Sequence, residues 1–109
     1  MVTKALLVTI EVKPGKEAEV QAFLEGARSI VEDEPETVAW FAIRLGPTMF
    51  GVFDAFPDDN GRQAHLSGGV GQALAANAGE LFDEPQIIAI DVLAHKLPHS
   101  SDTREPARA

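Results

Sequence analysis

The stretch FDAFPDDNGRQAHLSGG, residues 53–69, changes from a strand pattern to a helix pattern within one turn. Apolar residues run up to Phe56, and the turn PDDN follows. Either Asp58 or Asp59 can begin the helix, because an N-cap carboxylate accepts a backbone N–H of the first turn. The helix carries His65 and is closed by two glycines. We therefore expect a short helix that holds a histidine close to the end of a strand.

The segments on either side alternate between strands and helices. Apolar, β-branched runs bounded by turn residues predict four strands, over residues 5–12, 37–45, 49–56 and 86–97. Helical spacing of apolar residues predicts one helix from Lys16 to about Glu34 and another from Val70 to about Phe82, stopped before Pro85. The order β-α-β-β-α-β predicts an α+β, ferredoxin-like fold with a four-stranded antiparallel sheet and helices on one face. We expect one domain over residues 1–97 and a polar tail over 98–109.

Composition excludes several classes of function. The chain has 109 residues, 45% of them hydrophobic, and a net charge of −8, which disfavours nucleic acid and anionic lipid as partners by repulsion. The absence of cysteine excludes disulfides and thiolate metal sites and is consistent with a cytoplasmic protein. No segment is long enough to span a membrane, and the N-terminus has the pattern of a strand, not of a signal peptide.

Two strand segments are apolar at consecutive positions, residues 39–43 and 87–90. A sheet covered on one face alternates apolar and polar residues, so this pattern indicates that both faces need cover. The helices cover only one face. A second copy packed sheet against sheet covers the other, and we expect a homodimer.

The stretch 53–69 resembles the antibiotic biosynthesis monooxygenase family, and the resemblance extends from Lys4 to Leu97. It includes the segment VKPGKEAEV that leads into the first helix and the closing strand IAIDVLAHKLP. The resemblance implies a dimeric α+β barrel that oxidises a phenolic or quinol-type aromatic molecule with dioxygen, without a metal, flavin or haem cofactor. Other members of such a family only bind ligands. The alternative function is therefore a non-catalytic small-molecule-binding or structural dimer.

Two residues are candidates for catalysis, in a pocket between the sheet and the helices. His65 matches the histidine of the family motif, and a neutral imidazole near its usual pKa can deprotonate a phenol at pH 7. Its structural alternative is a histidine hydrogen-bonded to a neighbouring acid or carbonyl group. Asn77 lies among the apolar residues of the last helix, where it either orients a substrate oxygen or bonds to the backbone.

Five further residues are candidates for substrate binding. Trp40 either stacks on a flat substrate or belongs to the core or dimer interface. Strand parity places Arg44 on the same face as Trp40, and Asp54 on the adjoining strand is its expected ion-pair partner. Phe53 and Phe56 are expected to form apolar walls beside the histidine.

Metal and haem sites are not expected. The three histidines are His65, His95 and His99, which are far apart in sequence and form no metal-binding motif. A haem-degrading subgroup of similar proteins uses an asparagine on the first strand, and ALLVTIEV contains none. His65 remains able in principle to bind iron. Asp91 in the last strand is the remaining candidate for an acidic residue that faces the pocket, and a position at the exposed edge of the sheet explains it equally well.

Overall fold

The computed structural model describes residues 1–98. Its elements follow the predicted order: β1 (Lys4–Glu11), α1 (Glu17–Val31), β2 (Ala39–Arg44), β3 (Met49–Phe56), α2 (Asp59–Leu66), α3 (Gly69–Asn77) and β4 (Gln86–Asp91). The strands form one antiparallel sheet in the order β2-β3-β1-β4, and the helices cover one of its faces. The ferredoxin-like α+β fold expected from the sequence is confirmed.

Helix α3 and strand β4 end at least five residues before the positions that the sequence pattern predicts. Helix α3 ends at Asn77, and Gly79 follows with a φ of 92°, a conformation that stops a helix and that glycine adopts without strain. Leu81 and Phe82 lie beyond the helix and are nevertheless buried in the core. Strand β4 ends at Asp91. The predicted tail from residue 98 lies, apart from its first residue, outside the described part of the chain.

The two faces of the sheet have different surroundings. Alternate residues of β1 and β3, such as Val8 and Val52, contact the helices in the main core. The opposite face carries a smaller apolar cluster and stays partly exposed. Phe41 on β2 and Ile88 on β4 are 53% and 47% exposed there. The edge strands are therefore apolar and uncovered within the described chain, as the two-sided sequence pattern indicates. No helix among residues 1–98 is long and apolar enough to cross a membrane.

Helix α2 is capped at its N-terminus and fixed to the sheet by an arginine. Asp58 is its N-cap and accepts a hydrogen bond of 2.9 Å from the backbone N–H of Gly61. Arg62, one turn further, donates to the backbone carbonyl groups of Ala5 and Ile90 at 3.2 and 3.1 Å. A largely covered guanidinium group that bridges β1 and β4 leaves the helix little freedom to rotate. The side chain of His65, three residues later, is thereby held against the sheet.

Candidate functional site

The imidazole of His65 lies between two carboxylates. Its Nδ1 donates to Glu34 Oε1 at 2.6 Å, and its Nε2 is 2.9 Å from Asp54 Oδ2. The histidine side chain is only 7% exposed. Burial lowers the pKa of His65, but the contacts with Asp54 and Glu34 and the negative charges of both raise it above 6.5 overall. Carboxylates therefore contact both nitrogens of His65 and favour the protonated form of the ring, whereas a general base needs a free nitrogen in the neutral form.

Asp54 is the most buried acidic residue of the site. It lies on β3, is 1% exposed, and projects to the face of the sheet that the helices cover. Its Oδ2 lies 2.9 Å from Nε2 of His65, a contact of hydrogen-bonding length between groups of opposite charge tendency. Its Oδ1 is buried and has no hydrogen-bond donor among the described residues. A buried carboxylate of this kind is costly, and an incoming hydrogen-bond donor relieves that cost.

Glu34 reaches the histidine from the loop between α1 and β2. The same Oε1 also accepts a hydrogen bond of 2.8 Å from the hydroxyl of Thr37. Two glycines of the 53–69 stretch allow the loop to approach. A Cβ on Gly61 would lie 3.0 Å from Glu36 Cβ, and one on Gly68 would lie 3.2 Å from Glu34 Oε2. The glycines therefore serve close packing of the loop on α2 as well as the turn between helices.

A cavity of about 130 Å³ opens beside this cluster. It lies between the sheet and helices α2 and α3. Asp54 and His65 line one end of it, and Glu84 lies at the edge. The remaining walls come mainly from apolar side chains: Leu6, Val8, Val52, Leu66, Val70, Leu74, Ala75, Pro85 and Ile87. The expected pocket between the sheet and the helices is present, and Asp54 is its buried acid.

The two predicted phenylalanines lie on opposite faces of the sheet. The ring of Phe56 is 5.4 Å from the imidazole of His65, centroid to centroid, and is fully buried. Phe53 belongs to the cluster on the uncovered face, because strand parity turns it away from its neighbour Asp54. Only Phe56 is therefore a neighbour of the histidine.

Arg44 and Trp40 do not line the cavity. Arg44 donates to the carbonyl groups of Gly46 and Pro47 and lies 5.0 Å above the ring of Phe50, so the predicted ion pair with Asp54 is wrong. The strand register explains this, since it places Arg44 opposite Phe50 and Trp40 opposite Asp54. Trp40 packs on the main core beside a groove between α1 and β2. Its Nε1 is buried without a hydrogen-bond partner among residues 1–98.

The other candidates make structural contacts away from the cavity. The side chain of Asn77 donates to the carbonyl group of Ala73 at 2.8 Å. Of its two expected roles, this contact matches the hydrogen bond to the backbone. Asp91 forms an exposed ion pair with Lys4 at 2.8 Å, and that contact lowers its pKa. His95 lies 3.4 Å from the backbone N–H of Val2, and His99 is outside the described residues. Within residues 1–98 no cluster of three or more acidic or histidine side chains is arranged to hold a metal ion.

Two residues of the site were not among the sequence candidates. Arg62 fixes helix α2, and its position three residues after Asp59 and three before His65 was a usable signal, since these residues share one helix face. Glu34 lies 31 residues before the histidine in a loop, and no sequence spacing relates the two. Their contact depends on how α1 packs on the sheet.

Comparison with solved structures assigns the chain to a family. The NE2512 protein of unknown function from Nitrosomonas europaea is 48% identical, with 92% of this chain and 98% of that chain covered and a TM-score of 0.89. A proposed antibiotic biosynthesis monooxygenase from Caulobacter crescentus is 21% identical, with 85% and 92% covered and a TM-score of 0.70. The chain belongs to the family of the NE2512 protein and has the antibiotic biosynthesis monooxygenase fold. The resemblance expected from residues 53–69 is confirmed at the level of the fold. No known family profile and no curated protein matches the chain.

A third structure with this fold tests whether a porphyrin suits the site. A variant of the protein MhuD, solved with two manganese protoporphyrin IX molecules per active site, is 20% identical, with 87% and 99% covered and a TM-score of 0.65. In the present chain both ring nitrogens of His65 contact carboxylates, so neither is free to bind a metal. The residues around His65 therefore do not fit a porphyrin bound through this histidine.

Proposed function

We propose that the chain is a cofactor-independent monooxygenase that acts on a small phenolic or quinol-type aromatic molecule in the cavity beside Asp54. The observation that carries the proposal is the buried carboxylate of Asp54, which lines an apolar cavity and whose Oδ1 has no hydrogen-bond donor among the described residues. In such a reaction one oxygen atom of O2 enters the substrate and the other leaves as water. The electrons come from the substrate, which must first become electron-rich by losing a proton.

Asp54 is the proton acceptor in this proposal, in place of His65. An aspartate beside apolar walls is known to serve as a general base in enzymes. The hydroxyl of a bound phenol would donate to Asp54 Oδ1, which has no other donor among the described residues. His65, held by Glu34 at 2.6 Å, keeps the Asp54 carboxylate in position through their 2.9 Å contact. Phe56 packs against the imidazole and excludes water from that side.

Oxygen uptake tests the proposal. We expect the protein to consume dioxygen with at least one member of a panel of phenols, quinols and anthrones. The rate should be the same with a metal chelator present, because the reaction needs no metal. An oxygen electrode measures the rate, and mass spectrometry after reaction under ¹⁸O₂ measures the label that enters the product. No uptake above the buffer rate with the whole panel would contradict the proposal.

A second function, binding without turnover, is favoured by one observation. Both nitrogens of His65 are occupied by carboxylates, as in a histidine whose role is to hold a helix and a loop together. In that case panel compounds bind in the cavity and no oxygen is consumed. Titration and oxygen uptake on the same protein sample distinguish the two functions.

We also propose that a second copy of the chain covers the open face of the sheet. Exposed apolar residues on both edge strands support this, since Phe41 and Ile88 would be buried in such a dimer. Sedimentation equilibrium at micromolar concentration should give a dimer, and Phe41→Glu should shift the equilibrium to the monomer. Ile30→Glu, on helix α1, is the matched control and should leave the dimer intact. A monomeric wild-type protein would contradict this proposal.

A further inference from the structure

The volume of the cavity limits the size of its ligand. An apolar cavity of about 150 Å³ in another protein accommodates benzene. The present cavity, at about 130 Å³, has room for one aromatic ring with a small substituent. Larger aromatic systems would have to extend through the mouth, where Ala75 and Ile87 are exposed.

The walls of the cavity determine how the ring lies. Val8 and Val52 form the side that belongs to the sheet, and Val70 and Leu74 form the side that belongs to α3. These four side chains are nearly fully buried, so they present apolar surface on two opposite sides of a narrow space. A flat ring between them would bring its substituent to the end of the cavity where Asp54 lies.

The polar groups of the cavity are acceptors. No lysine or arginine side chain lines it among the described residues, and both nitrogens of His65 are directed at carboxylates. The carboxyl groups of Asp54, Glu34 and Glu84 outnumber the single imidazole of His65, even when that ring is protonated. The surroundings of the cavity are therefore negative overall. They attract a hydrogen-bond donor and repel an anion of the same size.

We propose that the cavity selects a neutral, one-ring aromatic molecule with a hydroxyl or amino group, and that Asp54 recognises this group and excludes carboxylated analogues. This inference rests on the cavity named in the proposed function, but it requires no turnover. Aromatic amines of the aniline class should bind as phenols do, because an amino group and a hydroxyl group can each donate a hydrogen bond to the Asp54 carboxylate. A hydrogen bond to a charged group corresponds to an affinity difference of about 10- to 100-fold.

Three neutral ligands of nearly equal size and one larger anion test the selectivity. We would titrate the protein at about pH 7 with phenol, aniline, toluene and benzoate, and follow the backbone amide signals by NMR. Phenol and aniline should bind about 10- to 100-fold more tightly than toluene, and benzoate should bind more weakly than toluene. Equal affinities for phenol and toluene, tighter binding of benzoate, or no binding of phenol would overturn the inference.

Three variants locate the binding. Asp54→Asn should reduce the preference for phenol over toluene to a few-fold, because its amide carries no charge. Ala75→Phe fills the mouth from an exposed position of α3 and should abolish binding of all four ligands. Ala76→Phe is also exposed on α3, does not line the cavity, and should bind as the wild type does. Binding that survives Ala75→Phe unchanged would overturn the assignment to this cavity.

The result is independent of oxygenase activity. Selective binding of phenol and aniline without any oxygen uptake would support this inference and contradict the proposed monooxygenase. Oxidation of anthrones by a protein that does not bind phenol would support the proposed monooxygenase and contradict this inference.

Discussion

Replacing His65 by alanine should lower the free energy of unfolding by about 3–5 kcal/mol, which is the usual cost of removing one partner of a buried ion pair. Asp54 is 1% exposed, and without His65 no group among residues 1–98 pairs with its carboxylate. Glu34 also loses the contact that holds its loop on α2. Urea denaturation followed by circular dichroism measures the difference. The expected loss is a large part of the stability of a domain of this size.

The double variant is the control for this interpretation. Removing Asp54 and His65 together leaves no unpaired carboxylate at this position, so the double variant should be more stable than His65→Ala alone. If the stability losses of the two single variants simply add in the double variant, the ion pair does not explain the loss in His65→Ala. That loss would then come from the cavity left by the imidazole.

The pH dependence of stability gives an independent signature of the same ion pair. The pKa of His65 is raised on folding, so folding favours the protonated ring. Its contribution to stability is fully present below the unfolded pKa, near 6.5, and is lost as the pH rises through the higher folded pKa. The stability difference between the wild type and His65→Ala should therefore shrink towards alkaline pH. A difference that grows with pH would contradict an imidazolium between Asp54 and Glu34.

Asp54→Asn should lower kcat for a phenolic substrate by about 10²- to 10⁴-fold, the range that a general base contributes. Asparagine has nearly the same shape as aspartate but cannot take the substrate proton. The rate is measured as oxygen uptake at saturating substrate, so that weaker binding does not enter the result. Thermal unfolding of the same sample confirms that the variant is folded.

The matched control for this variant is Asp91→Asn. Asp91 is also a strand aspartate on the same side of the sheet, but its side chain is 72% exposed and it pairs with Lys4 away from the cavity. Its replacement should leave oxygen uptake unchanged. A folded Asp54→Asn protein with wild-type turnover would remove Asp54 from the role of proton acceptor.

The order of the elements could be predicted because it depends on local sequence patterns. Apolar runs bounded by turn residues predict the strands, and Asp58, one of the two expected N-caps, begins α2. The end of α3 was predicted too late because Leu81 and Phe82 continue the helical spacing of apolar residues. They are buried through a turn at Gly79 and not through the helix.

The site could be predicted only in part. His65 was identified from its motif, but its charge state depends on two carboxylates that come from other elements. Asp54 was assigned to Arg44, whereas the hairpin register places it opposite Trp40. Counting residues along β2 and β3 in both directions from the turn after Arg44 pairs Trp40, and not Arg44, with Asp54. The contact with Glu34 is different, because it depends on tertiary packing and leaves no periodic signal in the sequence.

The central position of β1 has a consequence for how the chain folds. This strand is the first to be synthesised, yet it lies between β3 and β4. Its pairing with β4 joins Lys4 to Asp91, which are 87 residues apart. Contacts between such distant residues form slowly because a long loop must close first. The edge of β1 that pairs with β4 therefore becomes ordered only after β4 has been synthesised. The wall of the cavity that contains Ile87 is among the last parts of the fold to form.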